Sequence, residues 1–147
     1  KKENAVLAGE MSGHFILYDS WYDFDDGIFA ACRLLMIMDT EQKSLAELNA
    51  DLPKTVGTPE IQVTIDDTKR GDIVAKFEDF KFKGASISRI DGVRADYPDG
   101  FALVRVSNTT PCLVVRFEAD NDTRLQAIQN DFKAEFKAIY PDLSLPF

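Results

Sequence analysis

At 147 residues and 45% hydrophobic side chains, the chain has room for one ordinary domain or two small ones, and its apolar fraction is too high for a disordered tail. Seventeen Lys and Arg against twenty-five Asp and Glu leave a formal charge of −8, which argues against a nucleic-acid partner, so any anion must be held by local geometry. No apolar run approaches the roughly 20 residues that cross a bilayer, and Lys1-Lys2-Glu3-Asn4 leads into no signal-peptide core; the expectation is a cytoplasmic protein without a membrane partner.

In chain order, Ala5-Val6-Leu7-Ala8 reads as a short, fully buried strand of the parallel-sheet type, ending at Gly9. The loop after such a strand is where α/β folds bind ligands. Asp25 and Asp26 can cap a helix running from Gly27 to near Asp39, in which Ile28, Ala31, Cys32, Leu35 and Met38 recur at helical spacing. A shorter helix follows, with Leu45, Leu48 and Leu52 on one face. Pro53-Lys54-Thr55-Val56-Gly57-Thr58-Pro59 then concentrates chain breakers and predicts a hinge or domain boundary, dividing residues 1–56 from residues 57–147.

In the second part, Glu60 to Ile65 alternates as a half-buried strand, and Asp66 or Asp67 can cap a helix with Ile73, Val74, Phe77 and Phe80 on its apolar side. Gly84, Gly92 and Pro98-Asp99-Gly100 punctuate strands over Ser86–Ile90, Gly92–Tyr97, Phe101–Val106 and Leu113–Glu118. A helix from near Thr123 closes the pattern. Leu125, Ile128, Phe132, Phe136 and Ile139 form its stripe, and Thr123 with Gln126 has capping-box spacing. The expected class is α+β: a C-terminal domain with an antiparallel sheet covered by helices, preceded by the partial end of an α/β domain. One buried-type strand and two helices cannot cover both faces of a parallel sheet, so the part before Pro53 should expose apolar surface and either self-associate or be weakly protected.

Two segments carry candidate chemistry. In Gly9-Glu10-Met11-Ser12-Gly13-His14, the Glu10 carboxylate can accept two hydroxyl hydrogen bonds, Ser12 can donate and accept, and the glycines let backbone approach a ring. His14, the one histidine of the chain, has the side chain suited to shuttling protons near neutral pH. In Arg105-Val106-Ser107-Asn108-Thr109, a forked cation stands beside three short neutral donors, the composition of a phosphate cradle. Read together, a sugar-type site and a phosphate-type site ask for one ligand, a phosphosugar. Arg94 and Arg116, on adjacent strands, are expected to pair with Asp or Glu rather than to join the cradle.

Other features carry less. Asp19, Asp23, Asp25 and Asp26 imitate a calcium loop, but Tyr22, Phe24 and the lack of a twelfth-position Glu leave them as caps and solvated charges. Cys32 and Cys112 lack metal-ligand spacing and read as reduced core residues, and Met36 and Met38 as helix-face packing. Asn108-Thr109-Thr110 and Asn121-Asp122-Thr123 match the glycosylation sequon in the wrong compartment.

Taken as a set and in order, Val6–His14, Asp25-Asp26-Gly27, Asp91-Gly92-Val93-Arg94 and Leu103–Pro111 resemble the C-terminal part of the phosphomannomutase/phosphoglucomutase family. The resemblance implies the end of a third, sugar-reading domain over residues 1–56 and a whole fourth, phosphate-gripping domain over residues 57–147. It implies that Glu10 and Ser12 bind sugar hydroxyls, that His14 assists proton transfer, and that Arg105, Ser107, Asn108 and Thr109 hold the non-reacting phosphate of a mannose or glucose 1- or 6-phosphate. The family's phosphoserine loop and the Asp-rich loop that holds its magnesium do not occur here. The resemblance therefore implies a substrate-recognition fragment, inactive alone, of an isomerase that interconverts hexose 1- and 6-phosphates. The alternatives are a free-standing phosphosugar-binding or regulatory module and an acidic interaction domain.

Overall fold

The structure, a computed structural model, describes residues 5–10, 12–141 and 143–147; Met11 of the glycine-flanked loop lies outside them. The chain divides into two compact units, Lys1–Pro53 and Lys54–Phe147. The described residues form a mixed α+β structure of antiparallel sheets and four α-helices.

In the first unit, β1 (Leu7–Gly9) pairs antiparallel with β2 (Phe15–Leu17), in the register Leu7 to Leu17 and Gly9 to Phe15. This corrects the expectation of a fully buried strand of a parallel sheet. Val6 is 62% and Leu7 55% exposed, because among the described residues no layer is stacked on the two-stranded ribbon. α1 (Gly27–Glu41) starts where its cap dictates: the Asp26 carboxylate accepts from the amides of Ile28 and Phe29, which have no partner within the helix. It ends at Gln42 in the left-handed conformation, with the Gln42 amide on the Asp39 carbonyl. None of its residues is buried. Cys32, read as a core residue, is exposed for that reason, and Ile28 is 82% exposed. α2 (Leu45–Ala50) opens with a full capping box, in which Ser44 and Glu47 satisfy each other's backbone amides. Leu52 falls beyond its end.

The second unit is built on one six-stranded antiparallel sheet. β8 (Cys112–Ala119) is its centre. One edge of β8 pairs with β7 (Gly100–Val106), which pairs with β6 (Val93–Tyr97) and then β5 (Ser86–Ser88). The other edge takes β3 (Val56–Gly57), opposite Glu118 and Ala119, and β4 (Ile61–Thr64), opposite Cys112 to Val115. Strand alternation sorts the side chains. Ala95, Ala102 and Phe117 oppose one another across β6, β7 and β8, Val93, Val104 and Val115 form the next row, and all six are buried.

α4 (Asp122–Ile139) lies on that face, and its stripe of Ile128, Phe132 and Phe136 enters the core. The alanines of the middle row leave room for the rings. Phe132 meets Phe117 edge-on at 5.2 Å between centroids and Phe136 at 4.9 Å. The cap of α4 is Asn121, which accepts from the Arg124 amide, rather than Thr123: the helix begins two residues earlier than the Thr123–Gln126 spacing indicates. Asp66 caps a short 3-10 turn (Asp67–Lys69) that leads into α3 (Arg70–Lys76). Ile73, Phe77 and Phe80 reach the same core, whereas Val74, read as part of that side, is exposed.

Candidate functional site

In the first unit, the turn between β1 and β2 is closed by its own backbone. The Glu10 amide donates to the His14 carbonyl at 2.9 Å and the Gly13 amide to the Glu10 carbonyl at 3.0 Å. Gly13 sits at φ +87, a left-handed conformation in which a side chain would be strained. The turn therefore brings Glu10, Ser12 and His14 together on one exposed tip. Ser12 Oγ donates to Glu10 Oε2 at 3.0 Å, so a carboxylate and a hydroxyl are already aligned as a mixed donor and acceptor pair.

His14 finds a partner that the sequence reading assigned to capping or solvent. Its Nδ1 lies 2.5 Å from Asp25 Oδ2. An ionised carboxylate only accepts, so Nδ1 carries the proton and Nε2 is left to give or take one. The hydrogen bond from His14, and after it the Asp25 backbone amide, hold the Asp25 carboxyl below its ordinary pKa of 3.8. Asp25 immediately precedes the helix cap Asp26, so the start of α1 fixes its position. Ala8, Gly9, Glu10, His14, Ile16 and Asp25 line an open hollow of about 370 Å3, within the size range of small-molecule sites.

In the second unit, the candidate residues sit where β7 turns into β8. Arg105 is half-buried near the end of β7, with Nη1 4.0 Å from Asp91 Oδ2. The close approach depends on Gly92. At φ +75, a Cβ there would stand 2.1 Å from the Val104 carbonyl oxygen and 2.7 Å from Arg105 Cα. Ser107 is the one buried polar residue among those described; its amide donates to the Cys112 carbonyl at 2.9 Å. Its hydroxyl organises the turn: Oγ lies 2.8 Å from Thr110 Oγ1 and accepts from the amides of Thr109 and Thr110 at 3.4 and 3.3 Å. Asn108 and Thr109 are exposed at the tip. Sequence reasoning missed Arg70, whose Nη2 donates to the Thr110 carbonyl at 2.9 Å across 40 positions of sequence.

Arg94 and Arg116 are engaged elsewhere. Arg94 pairs with Asp96 at 2.8 Å and lies 3.8 Å over the Phe101 ring, and Arg116 pairs with Glu118 at 3.3 Å. Among the described residues, no group of three or more His, Cys, Asp and Glu is placed to hold a metal ion, and no helix is long and apolar enough to cross a membrane. Cys32 and Cys112 are free thiols, the second of them buried.

Residues 60–135 match the family model described as phosphoglucomutase/phosphomannomutase, C-terminal domain, and residues 1–56 match that of the alpha/beta/alpha domain III. The chain belongs to the phosphoglucomutase/phosphomannomutase family. It corresponds to the C-terminal part of such proteins. It is 47% identical over 148 residues to a phosphomannomutase/phosphoglucomutase of Pseudomonas syringae, covering 100% of this chain and 32% of that protein. A phosphoglucomutase of Neisseria meningitidis serogroup A is 43% identical over 152 residues, covering 99% and 32%. A crystal structure of a phosphoglucomutase/phosphomannomutase family protein from Burkholderia thailandensis superposes with a TM-score of 0.85 at 46% identity, over 99% of this chain and 31% of that one. The chain thus spans about a third of the length of these family members.

Proposed function

We infer that this chain is the substrate-recognition part of a phosphohexomutase, which interconverts the 1- and 6-phosphates of glucose or mannose. Glu10 and Ser12 take sugar hydroxyls, Arg105, Asn108 and Thr109 take a phosphate, and Ser107 frames the phosphate turn. The observation that carries this reading is the Ser107-centred turn. It is a pre-organised strand connection with the exposed side chains of Asn108 and Thr109 at its tip and a half-buried guanidinium at its base. Such an arrangement meets a tetrahedral anion without reorganisation.

His14 is the proton carrier of the pair. With Nδ1 committed to Asp25, Nε2 exchanges a proton with a hydroxyl bound beside it, and Asp25 stabilises the imidazolium that forms. Phosphoryl transfer itself needs a positioned nucleophile and charge neutralisation. In this reading the magnesium ion and the phosphoserine belong to other parts of the parent protein, and the isolated chain binds without turnover. A cytoplasmic location belongs to the same reading.

Titration of the isotope-labelled chain with glucose 1-phosphate, mannose 1-phosphate and inorganic phosphate tests the assignment. Arg105→Ala should weaken all three ligands by about 1.5–3 kcal/mol, the worth of a charge-assisted contact. Glu10→Gln should weaken only the sugar phosphates. Phosphates that leave the amide shifts of residues 105–110 unmoved would refute the reading.

A further inference from the structure

A turn that accepts a phosphate must keep its carbonyl oxygens off the anion. Its most exposed carbonyl problem is at Thr110. The next residue is Pro111, which has no N–H, so the amide donors of the turn end at Thr110 and the peptide that follows offers only its oxygen. If that oxygen turned toward the ligand, its partial negative charge would oppose binding.

The structure shows what holds it. Thr110 O accepts from the Cys112 amide at 2.8 Å and from Arg70 Nη2 at 2.9 Å. The adjacent Pro111 carbonyl accepts from the Ile65 amide at 3.0 Å, so both carbonyls are tied to the segment that runs from β4 into α3. Arg70 is itself held in place. Its side chain is 33% exposed, and its buried Nε lies 3.2 Å from Asp67 Oδ1, an ion pair without the alignment of a hydrogen bond.

We propose that Arg70 is a positioning residue for phosphate recognition: it pins the Thr110 carbonyl and brings a second guanidinium to the turn that contains Ser107 and Thr109. The inference rests on the reading of that turn as a phosphate grip. Arg70 touches no proposed ligand atom. It acts by fixing the polarity of the turn, so that the Thr109 and Thr110 amides stay on the Ser107 side while the carbonyl points to the guanidinium.

The test uses the full chain, inorganic phosphate as probe, and amide shifts as readout. Arg70→Met, which keeps the length of the side chain and removes its donors, should weaken phosphate binding about three- to tenfold, the worth of one hydrogen bond. Because a single N–H reaches Thr110, Arg70→Lys should restore most of the affinity, whereas a purely structural role would give no such rescue. Wild-type affinity in Arg70→Met overturns the proposal, as does a loss that Arg70→Lys leaves unrepaired. Arg105→Ala separates the two readings. If it weakens phosphate while Arg70→Met does not, only the role of Arg70 falls; if the wild-type turn shows no response to phosphate, both fall.

Discussion

His14 Nδ1 and Asp25 Oδ2 stand 2.5 Å apart although they are eleven positions apart in sequence, and the cap of α1 is what brings them together. The contact is exposed, so its consequence is read in titration rather than in stability. The Asp25 carboxyl should titrate below 3.8, its ordinary value, because the charged form accepts the bond from His14. The lowered pKa fixes the sign: the contribution is complete above 3.8 and is lost as pH falls through the lowered value. Carbon-detected NMR of the carboxyl, with His14→Ala as control, reads this directly. An unchanged midpoint in the variant would remove the pair from the account.

Gly92→Ala should destabilise the second unit. A positive φ costs a non-glycine residue about 1–3 kcal/mol, and the overlap with the Val104 carbonyl adds overpacking of about 1–3 kcal/mol. Urea denaturation should show a lowered midpoint with an unchanged slope, and the Arg105 amide should shift in the folded variant. A wild-type midpoint would mean that the turn at Asp91-Gly92 relaxes freely.

Phe132→Ala should cost about 3–5 kcal/mol, the range for emptying a buried aromatic site. The ring contacts Phe82, Phe117 and Phe136, and it is 1% exposed, so no neighbour can fill the gap without leaving its own place. Against a usual domain stability of about 5–15 kcal/mol, that loss should lower the thermal unfolding midpoint by about 10 °C or more. Near-ultraviolet circular dichroism against temperature would detect it, and a drop in stability below about 1 kcal/mol would contradict the packing described.

How legible these features were in the sequence depends on how local their causes are. The stripe of α4 and the alternation of β6 to β8 are properties of single segments, and they were readable because one face of each is apolar all along its length. β3 was not: Val56 and Gly57 lie among breakers and form a strand only because the β8 edge beside Glu118 is free to take them. Periodicity likewise marked Cys32 and Val74 as apolar-face residues but could not say what covers that face. In the site, the glycine-flanked run before His14 and the donors after Arg105 were visible. Asp25 and Arg70 were hidden by contacts eleven and forty positions long. The one local hint was the doubled Asp25-Asp26, since a helix needs only one of them as its cap.

The first unit should show the weakest protection. α1 is apolar around most of its circumference, the pattern of a helix enclosed on all sides, yet Leu35 and Met36 are 63% and 59% exposed. Amides of α1 should exchange orders of magnitude faster than those of β7 and β8, or else be protected by self-association that sizing chromatography would reveal. A monomer with equal protection in the two would show that α1 is stable as it stands.

The short pairing of Val56 and Gly57 with β8 also governs where this chain can be divided. Thr55 Oγ1 donates to Glu118 Oε1, and the Thr58 amide reaches the Phe117 carbonyl, so residues 55–58 seal that stretch of edge. A shortened protein that begins at residue 60 would keep all of β4 yet leave the backbone of Phe117 to Ala119 open, a ready template for strand addition by another molecule. Starting at Lys54 keeps the seam closed. Six residues at the amino terminus therefore separate a well-behaved domain in the test tube from one inclined to stick to itself.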